Sequence, residues 1–238
     1  LQSDFTKRAI HQRPALAHAV SKGHFQEFED EYMETLFEFW ENDNDAIIRT
    51  GQVALSMNVS PASATEMIQR LASKELLDYQ PYKGLRLTTK GIEKGGRIKK
   101  RHRLAECLLI DVLGFTGDAH EAACLLEHAL TDELEESLDI LLGRPTHDPT
   151  GRPIPRYAEL KVELEPTKML LLAHTMEVGQ SGILFSVAML EDDRNLLESM
   201  GFTPGNQIQR TINGIEVDGI AHMVDDALLK RLLIKPEH

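Results

Sequence analysis

Aromatic side chains are scarce: they make up 5% of the chain, and Trp40 is the single tryptophan. Any core must therefore be mostly aliphatic. No run approaches the roughly 18 apolar residues of a membrane-crossing helix, which argues against a membrane span, and no membrane partner is expected. Cysteine is nearly absent, with only Cys107 and Cys124. That excludes a disulfide scaffold and suits a reducing compartment, the cytoplasm, where a thiol stays free or binds metal. The opening LQSDFTKRAIHQRPALAHAVSKGH lacks an apolar h-region and a small-residue cleavage pattern, so it reads as a mildly basic arm over 1–24 and not as a signal peptide. No GxSxG, HExxH, Walker or dinucleotide-binding fingerprint occurs. A Cys124–His128 thiol hydrolase fares no better, because both residues fall on one predicted helix with no oxyanion-hole sequence nearby. No enzyme is expected.

The chain does have an ordinary globular composition, 42% hydrophobic and 27% charged over 238 residues, enough for two or three modest domains. A net charge of -12 disfavours DNA as a partner in sum, but the distribution matters more. Residues 44–103 hold twelve Lys and Arg against five Asp and Glu, between acidic stretches at 27–45 and after 118. A basic module between acidic flanks can bind DNA despite the overall sign.

Apolar spacing in FQEFEDEYMETLFEFWEND predicts a helix over 25–41. A short helix over 50–57 follows, then the turn NVSP, where Ser60 caps a third helix and Pro61 takes its first position. Two short strands, LLDYQ and LRLTT, are joined through PYKG. This order is a winged helix-turn-helix pattern, expected over 25–96. Its second helix would present Ser60, Ala62, Ser63, Thr65 and Glu66 to a groove, with Lys83 and Arg86 of the wing near phosphate. The run KGIEKGGRIKKRHR adds positive charge for phosphates, or is a solvated helix face. A winged fold used only for packing or protein contact is the bland alternative. A long helix is expected from Lys90 to Leu113, ended by Gly114. Two shorter ones start at Asp118 and Thr131, giving a helical region over 97–143 suited to dimer formation. Five prolines between 143 and 167 mark a linker, placed at 144–168. The tail, 169–238, alternates short strands (GQSGILFSVAML, NQIQRTI, IEVDGIAHMV) with turns, and fits a small barrel closed by DALLKRLLI.

On the helix HEAACLLEHAL, Cys124, Glu127 and His128 share a face by their spacing of three and four, with His120 one turn earlier. Thiolate, carboxylate and imidazole together suit a divalent transition ion better than calcium or magnesium. His102 and Glu106, four apart on the long helix, form a second candidate cluster with His120. Carboxylates crowd the first helix at Glu27, Glu29, Asp30, Glu31 and Glu34. Spacing alone leaves a competing reading open, in which Cys124 is a small buried hydrophobe and the acids and histidines face water. Cys107 reads as core.

Taken in order, SPASATEMIQRL, GLRLTTKG, KRHRLAECLL and HEAACLLEHALTDELEESL resemble the metal-dependent transcriptional repressors of the diphtheria toxin repressor and manganese transport regulator type, over residues 25–238. The resemblance implies a mainly α protein with small β elements: a winged helix-turn-helix domain, a helical dimerisation domain and a C-terminal SH3-like, FeoA-type small barrel. It implies a homodimer, with one or two dimers per operator, binding double-stranded palindromic DNA when metal is bound. Cys124, Glu127 and His128 match the primary metal cluster and Glu31 the ligand from the first helix. His102, Glu106 and His120 match the ancillary site, with Glu34 as an extra acid and Glu191 and Asp193 as ligands from the tail. Iron-responsive members have methionine where this chain has Glu31, whereas the binuclear manganese type often has glutamate where it has Cys124. The carboxylate moves the preference toward Mn(II), and the thiolate keeps Fe(II), Co(II), Ni(II) and Zn(II) open. The expected function is a Mn(II)-activated repressor of metal-uptake genes. The alternatives are an Fe(II)-activated repressor of iron homeostasis and a winged-helix regulator with a purely structural metal site.

Overall fold

The structure is a computed structural model that describes residues 22–156, 170–189 and 191–237. Residues 1–21 of the expected arm and 157–168 of the expected linker lie outside these. The chain divides into two compact units, Leu1–Gly95 and Gly96–His238. Helix α4 (Thr89–Cys107) begins in the first and continues in the second.

The first unit runs α1 (Lys22–Asn42), α2 (Thr50–Ser56), α3 (Pro61–Ser73), then strands β1 (Leu77–Gln80) and β2 (Gly84–Leu87). The strands pair antiparallel from Leu77↔Leu87 to Gln80↔Gly84, and Ile48 adds a bridge to Leu85. At the start of α3 the Ser60 hydroxyl accepts from the Ser63 amide at 3.1 Å, and Pro61 holds the first helical position, where its missing N–H costs nothing. The helix ends on a left-handed Glu75 (φ 64°). There the Leu76 amide returns to the Leu71 carbonyl (3.1 Å) and the Glu75 amide to the Ala72 carbonyl (2.9 Å). Leu71 and Leu76 are both buried, completing a Schellman ending. Ala64, Met67, Ile68 and Leu71 form the buried face of α3. Glu29 of α1 is fully buried and holds the far end of α3 through Arg70 and Lys74, each at 2.5 Å. Gly95 lets α4 lie close on α1, since a Cβ there would stand 2.8 Å from the Cβ of Phe37.

In the second unit α4 does not continue as a uniform α-helix to Leu113. It ends at Cys107 and widens into a π-helical turn over Leu108–Val112, with the Leu113 amide bonded five residues back to Leu108 at 3.0 Å. Helix α5 (Ala119–Glu127) is capped by Asp118 and α6 (Asp132–Leu141) by Thr131. Ala105 and Leu109 pack with Ala123, Ala119 and Ala122, so small side chains let α4 and α5 approach closely. The proline-containing residues 144–156 fold against α4: Ile154 and Asp148 are buried, and the Arg103 guanidinium donates to the Pro153 carbonyl.

The tail is not the small barrel the sequence suggests. It is an open six-stranded sheet ordered β3-β8-β4-β5-β6-β7: β3 (Leu171–Leu172), β4 (Ser181–Val187), β5 (Gln207–Thr211), β6 (Gly214–Val217), β7 (Ile220–Met223) and β8 (Leu232–Pro236). Every pairing is antiparallel, and among the described residues β3 and β7 do not meet. Closure needs two edge strands long enough to exchange a ladder. Here β3 offers only two residues, and β7 turns Ile220 and Met223 outward to solvent. The closing segment DALLKRLLI splits into two elements. Only Asp226–Leu229 (α8) is helical, and Leu232–Pro236 is an inner strand of the sheet. Helix α7 (Glu191–Ser199) lies between β4 and β5 in sequence. The sheet's core gathers Phe202, Ile208, Ile215, Leu232 and Ile234.

Candidate metal centre and DNA-facing surface

The close α4–α5 contact sets two pairs of donors against each other: His102 and Glu106 on α4, and His120 and Cys124 on α5. Nε2 of His102 stands 3.0 Å from Nδ1 of His120 and 3.2 Å from Oε1 of Glu106. Cys124 Sγ lies 3.8 Å from His102 Nδ1 and 4.0 Å from His120 Nε2. Donor atoms of His102, His120 and Cys124 all lie within 4.8 Å of one another. Glu127 reaches the same histidine from the other side, with Oε2 2.8 Å from His102 Nδ1. His102 and Glu127 are buried, whereas His120 is exposed and Cys124 half-buried. An ion could therefore enter from solvent past His120 and Cys124.

The electrostatics suit a cation. Burial of the Glu106 carboxyl works against ionisation, but hydrogen bonds with His102 and His120 and the charge of Arg152 hold it far below the usual range. His120 is raised to about 9 by its hydrogen bonds to Cys124 and Glu106, against the opposing effect of burial. A metal-free cluster thus holds a proton where an ion would bring its charge. The two cysteines separate cleanly. Burial pushes the Cys107 thiol up to about 12, and it packs among Leu104, Val112, Leu142 and Ile154, so it is no ligand near neutrality. Three donors of imidazole and thiol type, with two buried carboxylates beside them, fit a divalent transition ion.

The grouping differs from that drawn from spacing. Cys124 sits with His102 and His120, while Glu127 turns to His102, so the two expected clusters share His102 in this structure. His128 caps the C-terminus of α5, and its Nε2 stands 3.6 Å from Glu127 Oε1, outside the close donor set. Glu31 and Glu34 lie three apart on α1, in the first unit. Asp193 is exposed on α7, the side chain of Glu191 lies outside the described ones, and among the described residues no acid of α7 joins a donor group. The residue that sequence reading missed is Arg152, which donates to Glu106 Oε2 at 2.6 Å. Its trace in the sequence is DPTGR, a turn with an acid and an arginine four apart.

On the first unit Ser60, Ala62, Ser63 and Glu66 are exposed at the start of α3, and Lys83 and Arg86 are exposed on the wing. Thr65 is half-buried, and its hydroxyl donates back to the Pro61 carbonyl at 2.7 Å. A groove of about 480 Å³ runs between α3 and the wing, lined by Pro61, Thr65, Gln69, Tyr79 and Tyr82. Arg49 braces the wing by donating to the Tyr82 and Lys83 carbonyls. The later part of the basic run is not a stripe for phosphate. Arg97 pairs with Asp132 and Glu135, Arg101 with the same two acids, and Lys100 with Glu135 and Asp139. Those charges fasten α4 to α6.

A winged helix followed by a helical region holding a cluster of metal donors is the layout of metal-responsive DNA-binding regulators. Residues 24–85 match the family model for the iron dependent repressor N-terminal DNA binding domain. Residues 88–156 match that for the iron dependent repressor metal binding and dimerisation domain. An HTH-type transcriptional regulator of Methanocaldococcus jannaschii, MJ0568, is 37% identical over 116 residues, which is 48% of this chain and 92% of that protein. The iron-dependent repressor IdeR of Mycobacterium tuberculosis is 32% identical over 136 residues, 57% of this chain and 58% of IdeR. The chain thus spans a little over half the length of such repressors. The solved structure of ScaR with bound Zn2+ aligns with 87% of this chain and 98% of its own, at 29% identity and a TM-score of 0.49, a likeness too loose to carry an argument. The chain belongs to the iron dependent repressor family, whose members are transcriptional regulators and not enzymes. The matched models end at residue 156, and the sheet beyond takes no assignment from them. Among the described residues no helix is long and apolar enough to cross a membrane.

Proposed function

We propose that this protein is a Mn(II)-activated repressor of metal-uptake genes. It acts in the cytoplasm as a homodimer on double-stranded palindromic operator DNA, with one or two dimers per operator. The observation that carries the reading is the convergence of His102, His120 and Cys124 donor atoms within 4.8 Å, in the region matched to a metal binding and dimerisation domain. The winged domain over 25–96 reads the operator, with Ser60, Ala62, Ser63, Thr65 and Glu66 facing the groove and Lys83 and Arg86 on phosphate. The helical domain over 97–143 binds metal and dimerises. Glu106, Glu127 and His128 complete the ligands on α4 and α5. Glu31 and Glu34 of α1 enter on the resemblance, and they harden the set toward Mn(II). Glu191 and Asp193 rest on the resemblance alone.

Metal acts by linkage. If it favours the DNA-competent arrangement, DNA must tighten metal by the same factor. Helix α4 is one continuous element that starts in the winged domain and carries His102 and Glu106, so ligation of its later turns can bias the former. The test is an anaerobic DNA-binding titration of chelated protein supplied separately with Mn(II), Fe(II) and Zn(II), using a duplex selected from a random library. Tight, salt-sensitive binding with Mn(II) is expected. Equal binding by the chelated protein would refute metal activation and favour a purely structural metal site. A stronger response to Fe(II) would favour the iron-responsive reading, which the soft Cys124 sulfur beside two imidazoles supports.

A further inference from the structure

Glu106 faces two ways. Its Oε1 looks into the histidine cluster, 3.2 Å from His102 Nε2 and 3.5 Å from His120 Nδ1. Its Oε2 is taken by the Arg152 guanidinium at 2.6 Å. Arg152 is itself held in place. Its Nε donates to Asp148 Oδ2 at 2.6 Å and its backbone amide to Asp148 Oδ1 at 3.0 Å. Asp148 is fully buried and also accepts from the Thr150 amide and hydroxyl, at 2.8 and 2.7 Å. The turn from Asp148 to Arg152 therefore presents a fixed cation to the outer oxygen of a candidate metal ligand.

We infer that Arg152 is a resident counter-cation of Glu106 that sets the affinity of the second metal position, the one formed by His102, Glu106 and His120. This rests on the metal-site reading above. A guanidinium does not give up its proton, so acidity does not switch it on or off. As long as it stays, Glu106 offers an incoming ion one oxygen and a carboxylate whose charge is already shared. A charge-assisted hydrogen bond of this kind is among the strong ones, so the ion either accepts monodentate ligation or must move the arginine off its anchor. Either course makes the second ion bind more weakly than its donors alone would dictate. Arg152 thereby separates a tight metal-binding step from a weaker one that can respond to changing metal levels.

The experiment is Mn(II) binding to the full chain, with free Mn(II) counted by its EPR signal in solution, for wild type, Arg152→Gln and Arg152→Lys. In wild type one tight and one weaker step are expected. Arg152→Gln is expected to tighten the weaker step on the order of tenfold and leave the tighter one unchanged. Arg152→Lys, which keeps the charge, is expected to stay near wild type. A merely structural arginine would behave oppositely, because a loosened turn weakens binding. If Arg152→Gln fails to fold, Arg152→Gln with Asp148→Asn removes the cation together with its buried anchor, and the same tightening is expected. A weaker step that is unchanged or weakened in the glutamine variants, or two equal steps in wild type, overturns the inference and leaves the metal site standing. A wild-type protein that binds no Mn(II) overturns both.

Discussion

Replacing Asp139 by Asn removes one charge from a buried, multiply paired acid of the helical region while keeping its volume. The side chain has no solvent exposure and takes two bonds from Arg156, at 2.7 and 2.9 Å, and one contact from Lys100 at 3.0 Å. Arg144 stands further off at 3.8 Å. Breaking a buried pair from one side costs about 3–5 kcal/mol, because the remaining charge is stranded. Here Arg156 is 35% and Arg144 51% exposed, so both can turn to water. Lys100 keeps Glu135 at 3.2 Å. The cost should thus fall at the low end, about 3 kcal/mol. Urea unfolding at pH 7, followed by circular dichroism, measures it. The pH dependence adds a second check. Burial raises the Asp139 carboxyl, but Arg156 and Lys100 outweigh it and hold the group below its ordinary value. A depressed carboxyl contributes stability above its unfolded pKa, about 3.9, and loses it as pH falls through the folded value. Wild type and variant should differ equally at pH 7 and pH 5 and converge only in stronger acid. A difference under about 1 kcal/mol at pH 7, the range of exposed pairs, would refute the view that this network is buried and strong.

Cys124→Ser should weaken Co(II) and Zn(II) binding more than Mn(II), since the sulfur is the soft donor of the set. The near-ultraviolet thiolate-to-metal absorption of the Co(II) complex reads this out, and a wild-type complex lacking that band would contradict ligation by Cys124. Mn(II) binding at pH 7 should release protons, because His120, raised to about 9, is protonated below that value and must lose its proton to ligate. Apparent affinity should therefore fall with acidity, and calorimetry in buffers of different ionisation enthalpy that finds no proton release would count against His120. Glu75→Gly should stabilise the winged domain by about 0.5–1 kcal/mol, because glycine takes the left-handed ending of α3 without strain. Thermal melting decides it, and a destabilised variant would mean that the exposed Lys90–Glu75 pair matters more than its 3.5 Å geometry implies.

Much of the first unit was legible because its determinants are local. Ser60 and Pro61 mark the start of α3, apolar spacing marks its buried face, and PYKG marks the wing turn. The histidines and Cys124 were legible as candidate donors for the same reason, since helical spacing puts residues three and four apart on one face. How they combine was not legible. Spacing groups Cys124 with Glu127 and His128, whereas the alanine-lined contact of α4 and α5 places it beside His102 and His120. The role of the basic run was misread for a similar reason, because a string of Lys and Arg carries no record of the acids on α6 that neutralise it.

The tail marks the boundary most sharply. Alternating apolar residues and turn glycines told of short strands, but pairing partners lie far apart in sequence, and closure depends on the length of the two edge strands. Only the tertiary structure shows that LLIKP is an inner strand between β3 and β4 and that the sheet stays open. Residue type and local pattern determined a winged helix and a set of candidate metal donors, which spacing alone left open to a purely structural reading. Which donors meet, which cations are spent on acids, and that Arg152 stands against Glu106 were decided by packing, because those are distances between elements and no local pattern encodes them.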